Sequence, residues 1–308
     1  MSVKLPVLEE GGRTPTAPEV PLSHLDDLWF QVAGTLCNLA CRHCFISCSP
    51  HNRSFGFLRL EDVRRALDES VALGVKEYYF TGGEPFLNPD MTAILEWTLR
   101  YGPATVLTNG TVFKEDWLRR LRQAEDASPY SLEFRVSIDG FTAADNDPIR
   151  GEGTFDRALR GVRQLLAHGF LPILTVARTR DDQDDAELHD GFVRLLRSVG
   201  CDRPRVKVLP TLRLGAEAQR QRGYHEVEHV TPEMMDGFDQ GKLICDHSRI
   251  VTDRGVYVCP ILIESPDARL GGTLDESLGP YRLRHRACYT CCQHGALCSN
   301  PSAGGRQA

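Results

Sequence analysis

Three cysteines of this 308-residue chain stand in one short C-x3-C-x2-C run, Cys37-Asn38-Leu39-Ala40-Cys41-Arg42-His43-Cys44. Thiolates are soft ligands that select zinc or iron–sulfur clusters. Structural zinc sites use paired C-x2-C knuckles and close all four positions. This loop offers three thiolates with no second pair nearby. Three cysteines can hold three irons of a [4Fe–4S] cube and leave the fourth iron open to a non-protein ligand. A second group lies near the C-terminus, where Cys245, Cys259, Cys288 and Cys291 read as C-x13-C, a gap of 28 residues, then C-x2-C. By spacing alone this group takes zinc or a second [4Fe–4S] cluster. Cys292 can replace Cys291 in it, and Cys298 can replace Cys245. Cys48 reads as a buried or spare thiol, because a fourth protein ligand would close the open iron, and Cys201 stands alone.

The eleven cysteines also bear on compartment. A secreted disulfide scaffold is short and carries an export signal, and MSVKLPVLEEGGRTPTAPEV lacks the apolar core of one. The expectation is a reducing, cytoplasmic setting. Subtracting 42 acids from 36 bases gives a net charge of −6, which argues against nucleic acid as a partner. No apolar stretch approaches the roughly 20 residues of a membrane span, so no membrane partner is expected. With 41% hydrophobic and 25% charged residues, the composition is globular rather than disordered or fibrous.

Positioning these cysteines requires a scaffold, and its periodicities are legible. Short apolar runs at Leu28–Val32, Tyr78–Thr81, Thr105–Leu107, Leu132–Ile138, Leu171–Val176 and Val206–Leu209 read as strands. Helical periods lie between them. Val63, Ala66, Leu67 and Val71 share one face. So do Phe155, Ala158, Leu159, Val162, Leu165 and Leu166, and then Leu188, Phe192, Leu195, Leu196 and Val199. Six strands alternating with five helices imply an α/β fold of parallel βαβ units, a partial (β/α)6 TIM-type barrel. The expected organisation is a poorly ordered lead-in over 1–27, a core over 28–215, a connector over 216–242 and a small cysteine-rich domain over 243–308. Within the last, Val256-Tyr257-Val258 suggests a hairpin returning the chain towards Cys245. The first cysteine loop follows the first strand, at the end of the barrel where such folds place their chemistry.

Further segments recur at successive strand ends: Gly82-Gly83-Glu84-Pro85, Thr108-Asn109-Gly110, Ser137-Ile138-Asp139-Gly140 and Arg150-Gly151-Glu152-Gly153-Thr154-Phe155. Each alone also reads as an ordinary turn or surface segment. Together, in this order behind the cysteine run, they resemble the radical S-adenosylmethionine (radical SAM) superfamily over residues 28 to about 215. The resemblance implies that Cys37, Cys41 and Cys44 carry a [4Fe–4S] cluster with SAM on its open iron. It gives Glu84 and the GGEP backbone the methionine amino group, Ser137 and Asp139 the ribose region, and Arg150 the carboxylate. Thr108 and Asn109 form the family's TNG turn, and His43 packs over the cluster or the adenine. The chain departs from the family before the arginine, where Ala144-Asp145-Asn146-Asp147 replaces a frequent His-Asp pair.

The C-terminal cysteines resemble the twitch domain, a shortened relative of the SPASM domain, with Cys245, Cys259, Cys288 and Cys291 on an auxiliary [4Fe–4S] cluster. The implied reaction is reductive cleavage of SAM to a 5′-deoxyadenosyl radical, fed by an external flavodoxin- or ferredoxin-like electron donor, then hydrogen abstraction. The C-terminal domain would act as a lid, its cluster taking an electron from the substrate radical. About 27 residues precede the first strand, too few for the leader-binding domain of the family's peptide maturases. The expected substrate is a small metabolite, or a peptide residue presented by a separate partner, leading to oxidation or rearrangement. Readings from other classes are a non-catalytic iron–sulfur electron carrier and a zinc-stapled binding protein. The basic run Arg282-Leu283-Arg284-His285-Arg286 reads as a solvated face, or as a contact for an anionic partner.

Overall fold

The computed structural model describes residues 17–179 and 184–295. Six parallel strands, β2 (Asp27–Gln31), β3 (Glu77–Thr81), β4 (Ala104–Thr108), β5 (Leu132–Ser137), β6 (Ile173–Arg178) and β7 (Arg205–Pro210), pair in chain order. β1 (Glu19–Val20) precedes them. The crossovers carry α1 (Leu60–Ala72), α2 (Met91–Thr98), α3 (Glu115–Asp126), α4 (Ala143–Arg150), α5 (Thr154–Ala167) and α6 (Asp185–Ser198). This is the expected α/β arrangement, with one more short helix, α4, ahead of α5.

Strand alternation sorts the side chains into two layers. Leu28, Phe30, Tyr78 and Phe80 join the helices in one core, whereas Trp29 and Tyr79 face the concave side. Phe30 stacks on Phe80 at 5.3 Å, and Trp29 on Tyr79 at 4.4 Å, so the same aromatic ladder runs along both faces of β2 and β3. α5 buries Phe155, Ala158, Leu159, Val162 and Leu165, as its period requires. α1 departs from expectation at Val71, which is 63% exposed, while Ser70 is fully buried. At 100° per residue, Ser70 falls within about 20° of Val63 on the buried face, whereas Val71 lies about 80° away.

The C-terminal segment does not stand apart as a small domain beside the barrel. β8 (Ser248–Thr252) pairs in parallel with β2, from Asp27–Ser248 to Phe30–Val251. β9 (Gly255–Tyr257) returns antiparallel to β8, the expected hairpin, and β10 (Arg269–Gly271) adds to it, giving a nine-stranded sheet. One apolar cluster holds Trp29 and Tyr79 of the barrel together with Cys245, Val258, Ile261 and Cys288. The described end of the lead-in, from residue 17, is tied down too, since β1 pairs with β11 (Tyr281–Arg282). Between barrel and C-terminal segment, α7 (Gly215–Arg220) lies against the cysteine loop, Ala216 N–H donating to the Cys44 carbonyl at 3.0 Å. A Cβ on Gly215 would come within 2.5 Å of the Phe45 carbonyl oxygen, and its φ of +51° suits glycine. α8 (Ile244–His247) and α9 (Ala287–His294) complete the described α-helices.

Candidate functional site

The loop after β2 is fixed from two sides and by a turn of its own. Cys37 N–H donates to Ser49 O at 3.1 Å, Arg42 N–H to Ile149 O at 2.8 Å, and Cys44 N–H to Cys41 O at 3.2 Å. Its sulfurs accept N–H groups: Leu39 N–H and Asn109 Nδ2 reach Cys37 Sγ at 3.4 and 3.7 Å, and Cys48 N–H reaches Cys44 Sγ at 3.3 Å. Burial pushes the Cys37 thiol up to about 12 and the Cys41 thiol up to about 11, with Arg150 pulling the latter down. A hydrogen bond from the Cys48 thiol lowers Cys44 to about 6 against its burial. One buried and two half-buried thiols whose charges oppose one another become thiolates together most readily around a positive centre. The donor set therefore fits an iron–sulfur cluster.

Backbone approach explains the glycines after β3. Gly83 N–H donates to Gly34 O at 2.9 Å and Glu84 N–H to Leu36 O at 3.0 Å. A Cβ on Gly83 would lie 2.0 Å from the Leu36 carbonyl oxygen. Glu84 itself is fully buried. Its carboxylate accepts Thr108 Oγ1 at 2.7 Å, Asn109 N–H at 2.8 Å and Phe86 N–H at 3.2 Å. Burial raises it to about 7, against the lowering by those donors. Asn109 also donates to Asn38 Oδ1 at 2.8 Å, so the turns after β3 and β4 are bolted to each other and to the cysteine loop.

A second knot gathers the turns after β5 and α4. Asp139 Oδ2 lies 2.5 Å from Arg150 Nε and 3.0 Å from His43 Nε2, and Oδ1 accepts Ala177 N–H at 2.8 Å. Burial alone would raise the Asp139 carboxyl, but Arg150 and then His43 hold it well below the usual carboxylate range. The segment that departs from the family carries this knot. Asn146 Oδ1 accepts Asp139 N–H at 3.0 Å, and Asp147 accepts Gly153 N–H at 2.7 Å and Phe155 N–H at 2.9 Å at the start of α5.

These turns surround one cavity of about 250 Å³ at the C-terminal ends of the strands. Cys37, Cys41, Cys44 and His43 line it, with Gly82, Gly83, Thr108, Asn109, Ser137 and Arg150. Glu84, Pro85 and Asp139 do not. Glu84 and Asp139 spend their oxygens on protein donors behind the wall, so they brace the groups that face the cavity. Cys48 lines it beside Cys44. Residues that the motifs did not single out line it as well, among them Trp29, Arg135, Thr175 and Leu209 of the strands, Leu212 just after β7 and Pro260 of the C-terminal segment. Their only signal was alternation, Trp29 standing between the helix-facing Leu28 and Phe30. Trp29 Nε1, Thr175 Oγ1 and His43 Nδ1 are buried polar atoms of this wall without a protein partner. Orphaned polar atoms beside a glycine cradle fit a polar ligand such as SAM.

The C-terminal cysteines come from separate elements and share one apolar cluster: Cys245 on α8, Cys259 after β9, and Cys288 and Cys291 three apart on α9, all buried, with the charge of Cys292 also acting on Cys245 and Cys288. Burial, then the charges of Cys259 and Cys245, pushes the Cys288 thiol far up. Burial raises Cys245 to about 12 against the pull of Arg249. The same donor-set reasoning fits a second cluster there. Cys292 is half-buried with its sulfur 3.9 Å from Met235 Sδ, and Cys298 lies outside the described residues. The basic run is a paired surface: Arg282 meets Glu19 at 3.1 Å, Arg284 and His285 meet Asp267 at 2.8 and 3.0 Å, and Arg286 donates to Tyr224 O at 3.2 Å.

Residues 32–190 match the radical SAM superfamily, and the chain belongs to it. Among relatives, it is 28% identical over 214 residues to the antilisterial bacteriocin subtilosin biosynthesis protein AlbA of Bacillus subtilis, covering 65% of this chain and 45% of that protein. It is 28% identical over 254 residues to the mycofactocin maturase MftC of Mycobacterium tuberculosis, covering 74% of this chain and 62% of that protein. The chain thus spans about half to three-fifths of these relatives. Streptococcus suis SuiB bound to S-adenosylmethionine superposes with a TM-score of 0.60 at 16% identity, over 80% of this chain and 63% of that one. Among the described residues, no helix is long and apolar enough to cross a membrane.

Proposed function

We propose that this chain is a radical SAM oxidoreductase that acts on a residue of a peptide, with one cluster on Cys37, Cys41 and Cys44 and an auxiliary one on Cys245, Cys259, Cys288 and Cys291. The observation that carries the activity is the meeting of the cysteine loop, the Gly82-Gly83 cradle and the Asp139-anchored Arg150 around one cavity. SAM bound at such a cluster supplies one-electron cleavage of its sulfonium and abstraction of hydrogen from an unactivated C–H bond. Every other task falls to the protein.

Arg150 is held as a fixed cation by Asp139, with the fork geometry to meet a carboxylate. The Asp139 carboxylate can only accept, so His43 bears its proton on Nε2 and, in the neutral ring, keeps on Nδ1 a buried lone pair with no protein partner. Gly82 and Gly83 let main-chain groups approach the ligand. Leu209, Leu212 and Pro260 keep water from the reacting face, so the end of β7 and the residues just after it share the lid's work with the C-terminal segment. The peptide reading is supported by the names of AlbA and MftC and by the SuiB fold, solved with its precursor peptide SuiA. A small-metabolite substrate is the second reading, favoured by the modest size of the cavity, about 250 Å³. The proposed electron donor is a flavodoxin- or ferredoxin-like protein. Ten described cysteines without disulfides suit a reducing cytoplasm.

The test is anaerobic reconstitution followed by dithionite and SAM. Formation of 5′-deoxyadenosine with about eight irons per chain is the expected result. A colourless zinc protein, or an iron protein that leaves SAM intact, sinks the proposal.

A further inference from the structure

Among the described residues, three arginines are buried: Arg135, Arg150 and Arg249. Arg150 has Asp139 at 2.5 Å and Arg135 has Glu133 at 3.4 Å. Arg249 differs. It stands on β8 with no exposed surface, and four of its five N–H donors go to neutral carbonyls. Nε donates to Ser277 O at 2.7 Å, Nη1 to Cys245 O at 2.9 Å and Ser248 O at 2.7 Å, and Nη2 to Gly279 O at 2.8 Å. The charged groups that face it are Cys245, Cys259 and, more weakly, Asp246, whose carboxylate accepts Ser23 Oγ at 2.7 Å. Among the described residues no carboxylate ion-pairs with this buried guanidinium, and a poorly compensated buried charge is strongly unfavourable. The anions that balance it are the cysteines beside it, once they are thiolates.

We propose that Arg249 is the counter-cation of the C-terminal cysteine set, a positioning residue that raises the reduction potential of the cluster held there. This rests on the reading that Cys245, Cys259, Cys288 and Cys291 carry a cluster. Two features assign it. The Cys245 carbonyl bond fixes the guanidinium against the first of these cysteines, and the Ser277 and Gly279 bonds prevent it from swinging away. Reduction adds a negative charge to the cluster, and a fixed positive charge in a low-dielectric setting stabilises that state. The bonds to loop carbonyls by themselves need a donor, not a cation. A charge with no carboxylate partner is the part they leave unexplained.

The experiment uses the reconstituted full chain with Cys37, Cys41 and Cys44 replaced by alanine, so that the C-terminal cluster alone gives an electron paramagnetic resonance signal on redox titration. In Arg249→Gln, the ratio of reduced to oxidised cluster at a fixed potential should fall at least tenfold, about 59 mV for one electron. Arg249→Lys keeps the charge and should stay within threefold of the parent. An unchanged ratio in Arg249→Gln, or an equal fall in both variants, overturns the proposal. Should Arg249→Gln not fold, Arg249→Lys decides alone: a ratio within threefold supports the proposal and a tenfold fall overturns it. A parent without iron overturns both this proposal and the auxiliary-cluster reading, whereas an iron-loaded parent with unmoved variants overturns this proposal only.

Discussion

Glu84 illustrates how single residues work here through other residues. Its carboxyl titrates near 7 in the fold, against 4.5 when solvated. Between those values the native state keeps a proton that the unfolded chain has released, so stability falls as pH rises from about 4.5 to about 7. At roughly 1.4 kcal/mol per unit, the full span is about 3 kcal/mol. In the metal-free chain, Glu84→Gln should abolish that part of the slope, read from urea midpoints at pH 5 and 7.5. A wild-type minus variant difference that is equal at both values removes Glu84 from the account. The loop cysteines act directly. Changing Cys37, Cys41 or Cys44 to alanine should lower bound iron from about eight to about four per chain and stop 5′-deoxyadenosine formation. Cys48→Ala should leave about eight irons bound, because Cys48 donates to Cys44 rather than replacing it. A loss of four irons in Cys48→Ala would make it a ligand.

At the scale of elements, the site depends on how closely turns from different strands approach. A Cβ on Gly83 would lie 2.0 Å from Leu36 O, so Gly83→Ala must push the turn after β3 off the cysteine loop. The expected outcome is about 1–3 kcal/mol of lost stability, by analogy with overpacked interiors, and loss of SAM cleavage, measured by denaturant melts and product assay. Full activity with unchanged stability would mean the close approach is dispensable. The start of α5 offers a contrast. Asp147 caps it through the Phe155 and Gly153 N–H groups while neighbouring Asn146 holds Asp139. Asp147→Ala should cost about 1 kcal/mol, as caps do, and mainly weaken SAM binding through Arg150. A family-typical His-Asp pair is therefore not needed to anchor this arginine.

For the whole molecule, the consequential finding is that barrel and cysteine-rich segment share a sheet and an apolar cluster. Pairing of β8 with β2 protects a barrel edge, and Trp29 packs in the same cluster as Val258 and Ile261. A chain ending at residue 242 should therefore aggregate or melt well below the full chain, tested by gel filtration and calorimetry. A monomeric fragment of unchanged Tm would restore the independent two-domain picture. The motifs at the strand ends, the six-strand alternation and the α5 face were legible in the amino-acid order, because turn chemistry and periodicity are local properties. Val71 misled, since an apolar residue at the margin of a helical face can turn either way. Trp29, Thr175 and Pro260 were invisible as cavity residues, because nothing local tells which face of a strand becomes concave. The sequence by itself determined which residues could ligate metal, approach a ligand or turn the chain. Only tertiary structure decided that Glu84 and Asp139 brace the wall, that Arg249 meets Ser277 and Gly279, and that residue 248 lies beside residue 27. Those outcomes depend on contacts between segments up to some 220 positions apart, where closure of the sheet selects the partner and local pattern carries no signal.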